Sequence, residues 1–360
     1  MFANVCKQLK NVQVAQYKEG VEKMENVLSN EAHTQQRFEK VFEGVNWNKT
    51  ESLYDVFWKQ QMKQFWLPEE VAVSKDILGW KQFEYQTTYM RVLAGLTLLD
   101  TLQTNVGMNE LSRFVQNLQA KALFTVFGAF EAIHARSYSY IFTTLCTNSQ
   151  IDDVFEWVKT NPFLQHKATK IEEVYTAIDE SDNRTLWKAM FASVMLESFL
   201  FYSGFFYPLY LGGHGTLKNS AEVISLIVRD ESIHGVAVGY EAQELFKTFD
   251  KATQDELKVW GYELLLDLYQ NELKYTDDVY AETGLGGKVK AYVRYNANKA
   301  LMNLGLDTMF PEEEVDPIVM NGIRTDSVTH DFFSQKGNSY ALANVQPITD
   351  ETFNFKGYNL

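Results

Sequence analysis

The sequence predicts an all-α protein, a helix bundle with a dinuclear metal site in its core. Three observations predict it. Proline is scarce, six in 360 residues, while 46% of the chain is hydrophobic, which suits long helices around a large core. Apolar residues recur at helical spacing through most of the stretch from 82 to 305. Two Glu-x-x-His pairs, Glu131–His134 and Glu231–His234, fall inside those apolar segments.

Residues 1–44 are polar and charged, with spaced apolar positions at Val21, Met24, Leu28, Phe38 and Val41. They read as one or two amphipathic helices outside the main core. VNWN at 45–48 and WLPEE at 66–70 mark turns and connections. The periodicity then predicts helices over about 82–106, 111–146, 168–180, 186–206, 219–248, 253–282 and 286–305. Loops are expected at NVGMN (105–109), TNSQIDD (147–153), DESDN (179–183), LGGHG (211–215) and TGLGG (283–287), where Gly, Asn, Asp and Ser cluster. Past 306 the pattern decays, and 335–360 is polar and aperiodic with isolated aromatics, as in a flexible docking tail.

Bulk properties exclude several roles. A net charge of −14 argues against nucleic acid and anionic membrane as main partners. Two distant cysteines, Cys6 and Cys146, imply no disulfide framework and fit a reducing cytoplasm. The N-terminus carries no secretory signal pattern. Residues 192–213 have the length of a membrane span with one charge, Glu197. That charge is central, Pro208 and Gly212–Gly213 interrupt the run, and no basic cluster flanks it. A core helix is the better reading.

Glu and His three apart share one helix face and can bind one ion together. A single pair is unremarkable by chance. Here both pairs, with Asp100 at the end of RVLAGLTLLD and Glu197 in FASVMLESFLFY, sit in helices apolar nearly all round, and such helices are buried. An unpaired buried carboxylate costs several kcal/mol, so four of them together require a common cause. A metal pair supplies it; satisfied core hydrogen bonds are the plainer alternative. Oxygen-rich ligands with one imidazole per ion suit iron or manganese better than structural zinc. Phe201 and Phe205 follow Glu197 by four and eight, and Ile227 precedes Glu231 by four; they would wall the metals or simply pack the core. Tyr138 lies four after His134, one turn from a ligand. An oxidised metal pair could draw an electron from it, though a plain core tyrosine has the same spacing.

These residues resemble the small, radical-generating (beta) subunit of class I ribonucleotide reductase, most closely class Ib. The resemblance runs from about Val45 to Phe355. It rests on LLD ending at Asp100, FEAIHARSY (130–138), the Glu197 segment, LIVRDESIHGVAVGY (226–240), YNANKALMNLG (295–305), HDFFS (330–334) and DETFNF (350–355). Gly235, the YNANKALMNLG string and the aromatic acidic tail look like class Ib.

The resemblance implies a ferritin-like bundle over 45–320, preceded by an extension at 1–44 and followed by a tail at 321–360 that docks the large (alpha) subunit. It implies two Mn or two Fe per chain, one held by Asp100, Glu131 and His134 and the other by Glu197, Glu231 and His234. Tyr138 matches the stable tyrosyl radical, and Phe201, Phe205 and Ile227 its apolar pocket. Trp66 and Asp230 match the electron-transfer route, and Tyr340, in GNSYAL, the tail tyrosine that relays it. A homodimer and a flavodoxin-like activator for the dimanganese form are implied as well. The extension at 1–44 and the KGYNL ending depart from the family pattern. The implied function is reduction of ribonucleotides to deoxyribonucleotides. The alternatives are a ferroxidase or storage bundle, which needs no radical tyrosine, Trp66 relay or aromatic tail, a diiron oxidase, which leaves the tail unexplained, and a helical scaffold.

Overall fold

The computed structural model describes residues 43–47 and 52–323. Contacts divide the chain into Met1–Thr50 and Glu51–Leu360, and the elements described belong to the second unit. The amphipathic helices expected over 1–44 and the tail at 335–360, with Tyr340, lie outside the described residues but for 43 and 44.

Thirteen α-helices are described, and no strand occurs among the described residues. α1 (Leu53–Lys63) starts where the Ser52 hydroxyl accepts from the Asp55 N–H. Asp55 in its first turn and Lys63 in its last complement the helix dipole. Two 3₁₀ turns, Pro68–Glu70 and Val73–Asp76, lead to α2 (Ile77–Gln82). α3 (Gln86–Leu102) runs into a π-turn, Gln103–Gly107, and on into α4 (Met108–Phe114). α5 (Leu118–Leu145) is capped by Asn117, whose side chain accepts from Gln119 and Ala120 N–H.

α6 (Asn148–Thr160) begins with a reciprocal Thr147–Gln150 capping box, and α7 (Pro162–Thr176) with the Asn161 cap and a proline at its first position. α8 (Asn183–Met195) continues through a second π-turn, Leu196–Leu200, into α9 (Tyr202–Gly213). α10 (Lys218–Phe246), α11 (Lys251–Val279), α12 (Gly286–Asn303) and α13 (Pro317–Ile323) complete the set.

The core pairs α3 with α5 and the α8–α9 rod with α10. The rod, Asn183–Gly213, is long and apolar enough for a membrane, but its apolar window is wholly buried inside the protein. It is a core helix, as its central Glu197 implies. Close packing at its π-turn depends on Gly235 of α10. A Cβ there would stand 2.1 Å from Ser198 Oγ, inside contact distance. Ser198 also accepts from Asn303 Nδ2 at 3.1 Å, which ties the end of α12 to the same turn.

Several expected boundaries are corrected. The loop at 105–109 is helical, because the chain absorbs the Asn-Val-Gly sequence as a π-turn instead of breaking. The loop at 147–153 is the capped start of α6: Thr, Asn and Ser favour caps as much as loops. The helix expected at 111–146 is interrupted before Asn117, and that expected at 168–180 begins at Pro162. α1 is too short for its periodicity to stand out in the sequence.

Candidate dinuclear metal centre

Four elements converge on one buried point. α3 contributes Asp100, α5 contributes Glu131 and His134, the π-turn after α8 contributes Glu197, and α10 contributes Glu231 and His234. All six are fully buried. They form two groups, Asp100–Glu131–His134–Glu231 and Glu131–Glu197–Glu231–His234, each with its donor atoms within 4.8 Å of one another. Glu131 and Glu231 belong to both, the placement of bridging carboxylates.

His134 Nδ1 lies 2.8 Å from Glu231 Oε1 and 3.5 Å from both Asp100 Oδ1 and Glu131 Oε2. His234 Nδ1 lies 2.6 Å from Glu131 Oε1, 3.5 Å from Glu231 Oε2 and 3.6 Å from Glu197 Oε2. These approaches are not aligned as hydrogen bonds. Both oxygens of Asp100, Glu131 and Glu231, Glu197 Oε2 and both Nδ1 atoms have no hydrogen-bond partner. So many orphaned buried polar atoms would be prohibitive in an ordinary core. Their lone pairs converge as ligands do, and the charges of four carboxylates match two divalent cations. The residues fit a metal pair, and the oxygen-rich donor set fits manganese or iron.

Without metal, the charges are frustrated. Burial, then the nearby Glu131 and Glu231, holds the Asp100 carboxyl well above its usual range. Burial with Glu131 and Glu231 does the same to Glu197. Burial disfavours charge on both imidazoles, yet the acids beside them, chiefly Glu231 for His134 and Glu131 for His234, hold both well above the usual histidine range. Burial also acts against charge on Glu231, but its neighbours Glu197, His134 and His234 hold it far below the usual range.

Around this centre, His134 Nε2 is 3.2 Å from Asp230 Oδ2, and the same oxygen accepts from Trp66 Nε1 at 2.8 Å. Asp230 Oδ1 accepts from Gln64 Nε2 at 2.5 Å. Tyr138, one turn beyond His134, is fully buried and its hydroxyl has no hydrogen-bond partner. Burial first, then Asp100, Glu231 and Glu131, push its phenol well above the usual range. Phe201, Phe205 and Ile227 are fully buried in the same core.

The sequence alone does not reveal Gln103, which donates to Glu197 and is itself bonded to Tyr175 and Ser193, or Gln64 and Arg229, which frame Asp230. Arg229 Nη2 donates to the Gln64 carbonyl at 2.8 Å. One signal was available: Gln103 follows Asp100 by three in an apolar run, which puts both on one face.

A buried carboxylate and imidazole set carried by four packed helical segments defines a dinuclear carboxylate metalloprotein. The model of the ribonucleotide reductase small chain matches residues 45–317. The chain is 53% identical to the ribonucleoside-diphosphate reductase subunit beta of Bacillus phage SPbeta, over 88% of this chain and 97% of that one. It is 51% identical to the protein of the same description in Bacillus subtilis, over 88% and 98%. Among solved structures it resembles the dimanganese(II) NrdF of Streptococcus sanguinis, with a TM-score of 0.75 and 44% identity, covering 79% of this chain and 100% of that chain. The chain belongs to the ribonucleotide reductase small-chain family, and its fold is the ferritin-like bundle of that family. Class Ib fits these relatives, which favour the reductase reading over the ferroxidase alternative.

Proposed function

We propose that this chain generates and stores a radical on Tyr138 and lends it to a large (alpha) subunit, which reduces ribonucleotides to deoxyribonucleotides. The observation that carries the reading is the setting of Tyr138: a fully buried phenol without a hydrogen-bond partner, one turn from His134 and under the charge of three of the four clustered carboxylates. Asp100, Glu131 and His134 would hold one ion, Glu197, Glu231 and His234 the other, as two Mn or two Fe. The bound pair supplies the oxidising power for Tyr138. Because the phenol is held neutral, its oxidation releases a proton along with the electron. Phe201, Phe205 and Ile227 would keep water and reductants from the radical.

Transfer then needs redox-active side chains on a fixed route. Trp66 donates its indole N–H to Asp230, whose same oxygen faces His134. Gln64 engages the other Asp230 oxygen, so the carboxylate cannot turn away. Tyr340 would continue the route, and the tail at 321–360 would dock the large subunit, with 45–320 as the metal and radical domain. A homodimer, a flavodoxin-like activator and a cytoplasmic location complete the reading. Tyr138→Phe tests it: the variant should bind both metals yet give no radical and no reduction, and retained turnover would refute the assignment.

A further inference from the structure

The two π-turns each carry one partner of a single contact beside the metal site. Gln103 opens the turn after α3, and Glu197 lies in the turn after α8. A π-turn is the usual mark of a helix bent to serve a site. Gln103 is fully buried and follows Asp100 by three, so one face of α3 serves both halves of the site.

The Gln103 amide is fully committed. Its Nε2 donates to Glu197 Oε1 and, at 3.1 Å, to Ser193 Oγ. Its Oε1 accepts from the Tyr175 hydroxyl at 2.7 Å. An ionised carboxylate only accepts, so with Glu197 ionised the amide nitrogen must face it. Donation from Tyr175 holds the amide oxygen on the far side. The arrangement is tight, since a Cβ on Gly107 would stand 2.1 Å from Gln103 Oε1 and 2.8 Å from Tyr175 Cε2. Glycine at 107 lets Gln103 and Tyr175 meet.

We propose that Gln103 and Tyr175 are positioning residues that restrict Glu197 to one-oxygen metal ligation. Gln103 occupies Oε1, whereas Oε2 has no hydrogen-bond partner and lies 3.6 Å from His234 Nδ1. Of the two oxygens, Oε2 is left for the ion. The pair thereby sets how many oxygens Glu197 offers. The proposal rests on Glu197 being a ligand.

The test is titration of the metal-free full chain with Mn(II), with carboxylate stretches read by infrared difference spectroscopy on glutamate-labelled protein. Loss of a partner that orients a ligand costs about 10–100-fold in metal affinity. In Gln103→Met and Tyr175→Phe, two Mn(II) should still bind. The affinity at one site should fall about 10-fold or more, and the splitting between the stretches should narrow as Glu197 turns to two-oxygen binding. Glu197→Ala should lose one of the two ions. If Glu197→Ala keeps both ions at parental affinity, the ligand assignment fails and the proposal with it. If Glu197→Ala loses one ion but Gln103→Met and Tyr175→Phe both bind and absorb like the parent, the ligand assignment stands and the positioning role is overturned. Tyr175→Phe preserves the ring and its packing, so the test does not depend on Gln103→Met folding.

Discussion

Trp66 Nε1 donates to Asp230 Oδ2 at 2.8 Å, and that oxygen lies 3.2 Å from His134 Nε2. The indole of a connecting segment is thus joined through one oxygen to an imidazole of the candidate metal site. Gln64 and Arg229 hold the carboxylate from the other side: Gln64 donates to Oδ1, while the Arg229 Nε lies 3.8 Å from it. Asp230→Asn keeps the shape but removes the charge beside His134, and with its amide oxygen facing Trp66 and His134 it turns an N–H donor towards the donor amide of Gln64. The expected outcome is a Tyr138 radical formed at near-parental yield with turnover reduced about 10–100-fold, the range for partners behind a metal-ligating histidine. Radical yield by electron paramagnetic resonance, set beside activity with the large subunit, checks it.

Metal binding should release protons. Asp100, Glu197, His134 and His234 are all held above their usual ranges in the metal-free protein, so they retain protons that an ion must displace. Affinity therefore falls as pH falls. The same shifts give metal-free stability the opposite slope. The native state holds more protons than the unfolded chain, so stability declines as pH rises from the unfolded histidine value towards the raised folded ones. Calorimetric titration with Mn(II) in buffers of different ionisation enthalpy measures the release, and thermal unfolding of the metal-free chain at pH 6 and 8 measures the slope.

Away from the candidate metal site, Lys167 Nζ meets Glu272 Oε2 at 2.8 Å, with both side chains buried. Nζ also stands 3.7 Å from the centre of the Tyr275 ring. Burial drives the lysine below its usual range, against the pull of Glu272. Glu272→Ala strands a buried ammonium and should cost about 3–5 kcal/mol. Lys167→Met with Glu272→Leu should recover most of that loss. Urea unfolding of the single and double variants decides it.

The tail makes a separate prediction. Truncation before Gln335 should leave metal loading and the Tyr138 radical intact while abolishing association with the large subunit. Sedimentation of the mixed subunits, with the radical signal as control, is the measurement; unchanged association would remove the docking role of the tail.

How much the sequence revealed depended on spacing. Glu131–His134 and Glu231–His234 were legible because three-residue spacing in an apolar helix fixes a shared face. Glu197 was legible because a lone carboxylate in a buried rod requires a counter-charge, and a metal ion provides one. Gln103 and Tyr175 were not, since their pairing spans 72 positions and requires a π-turn that periodicity does not reveal. The α6 start was misread because Thr147 and Gln150 carry the composition of a loop while forming a capping box. Asp230 was placed by resemblance alone: at helical spacing it is only an acid on α10, and the Trp66 contact depends on tertiary packing.

The central claim is that a metal pair in this cluster oxidises Tyr138. The most direct measurement is metal analysis with electron paramagnetic resonance on the full chain from its native host, grown with ordinary or ring-deuterated tyrosine. The expected result is two Mn or two Fe per chain and a tyrosyl signal that narrows on deuteration and vanishes in Tyr138→Phe. A bound metal pair with no tyrosyl signal, even after oxidant and activator are supplied, would contradict it.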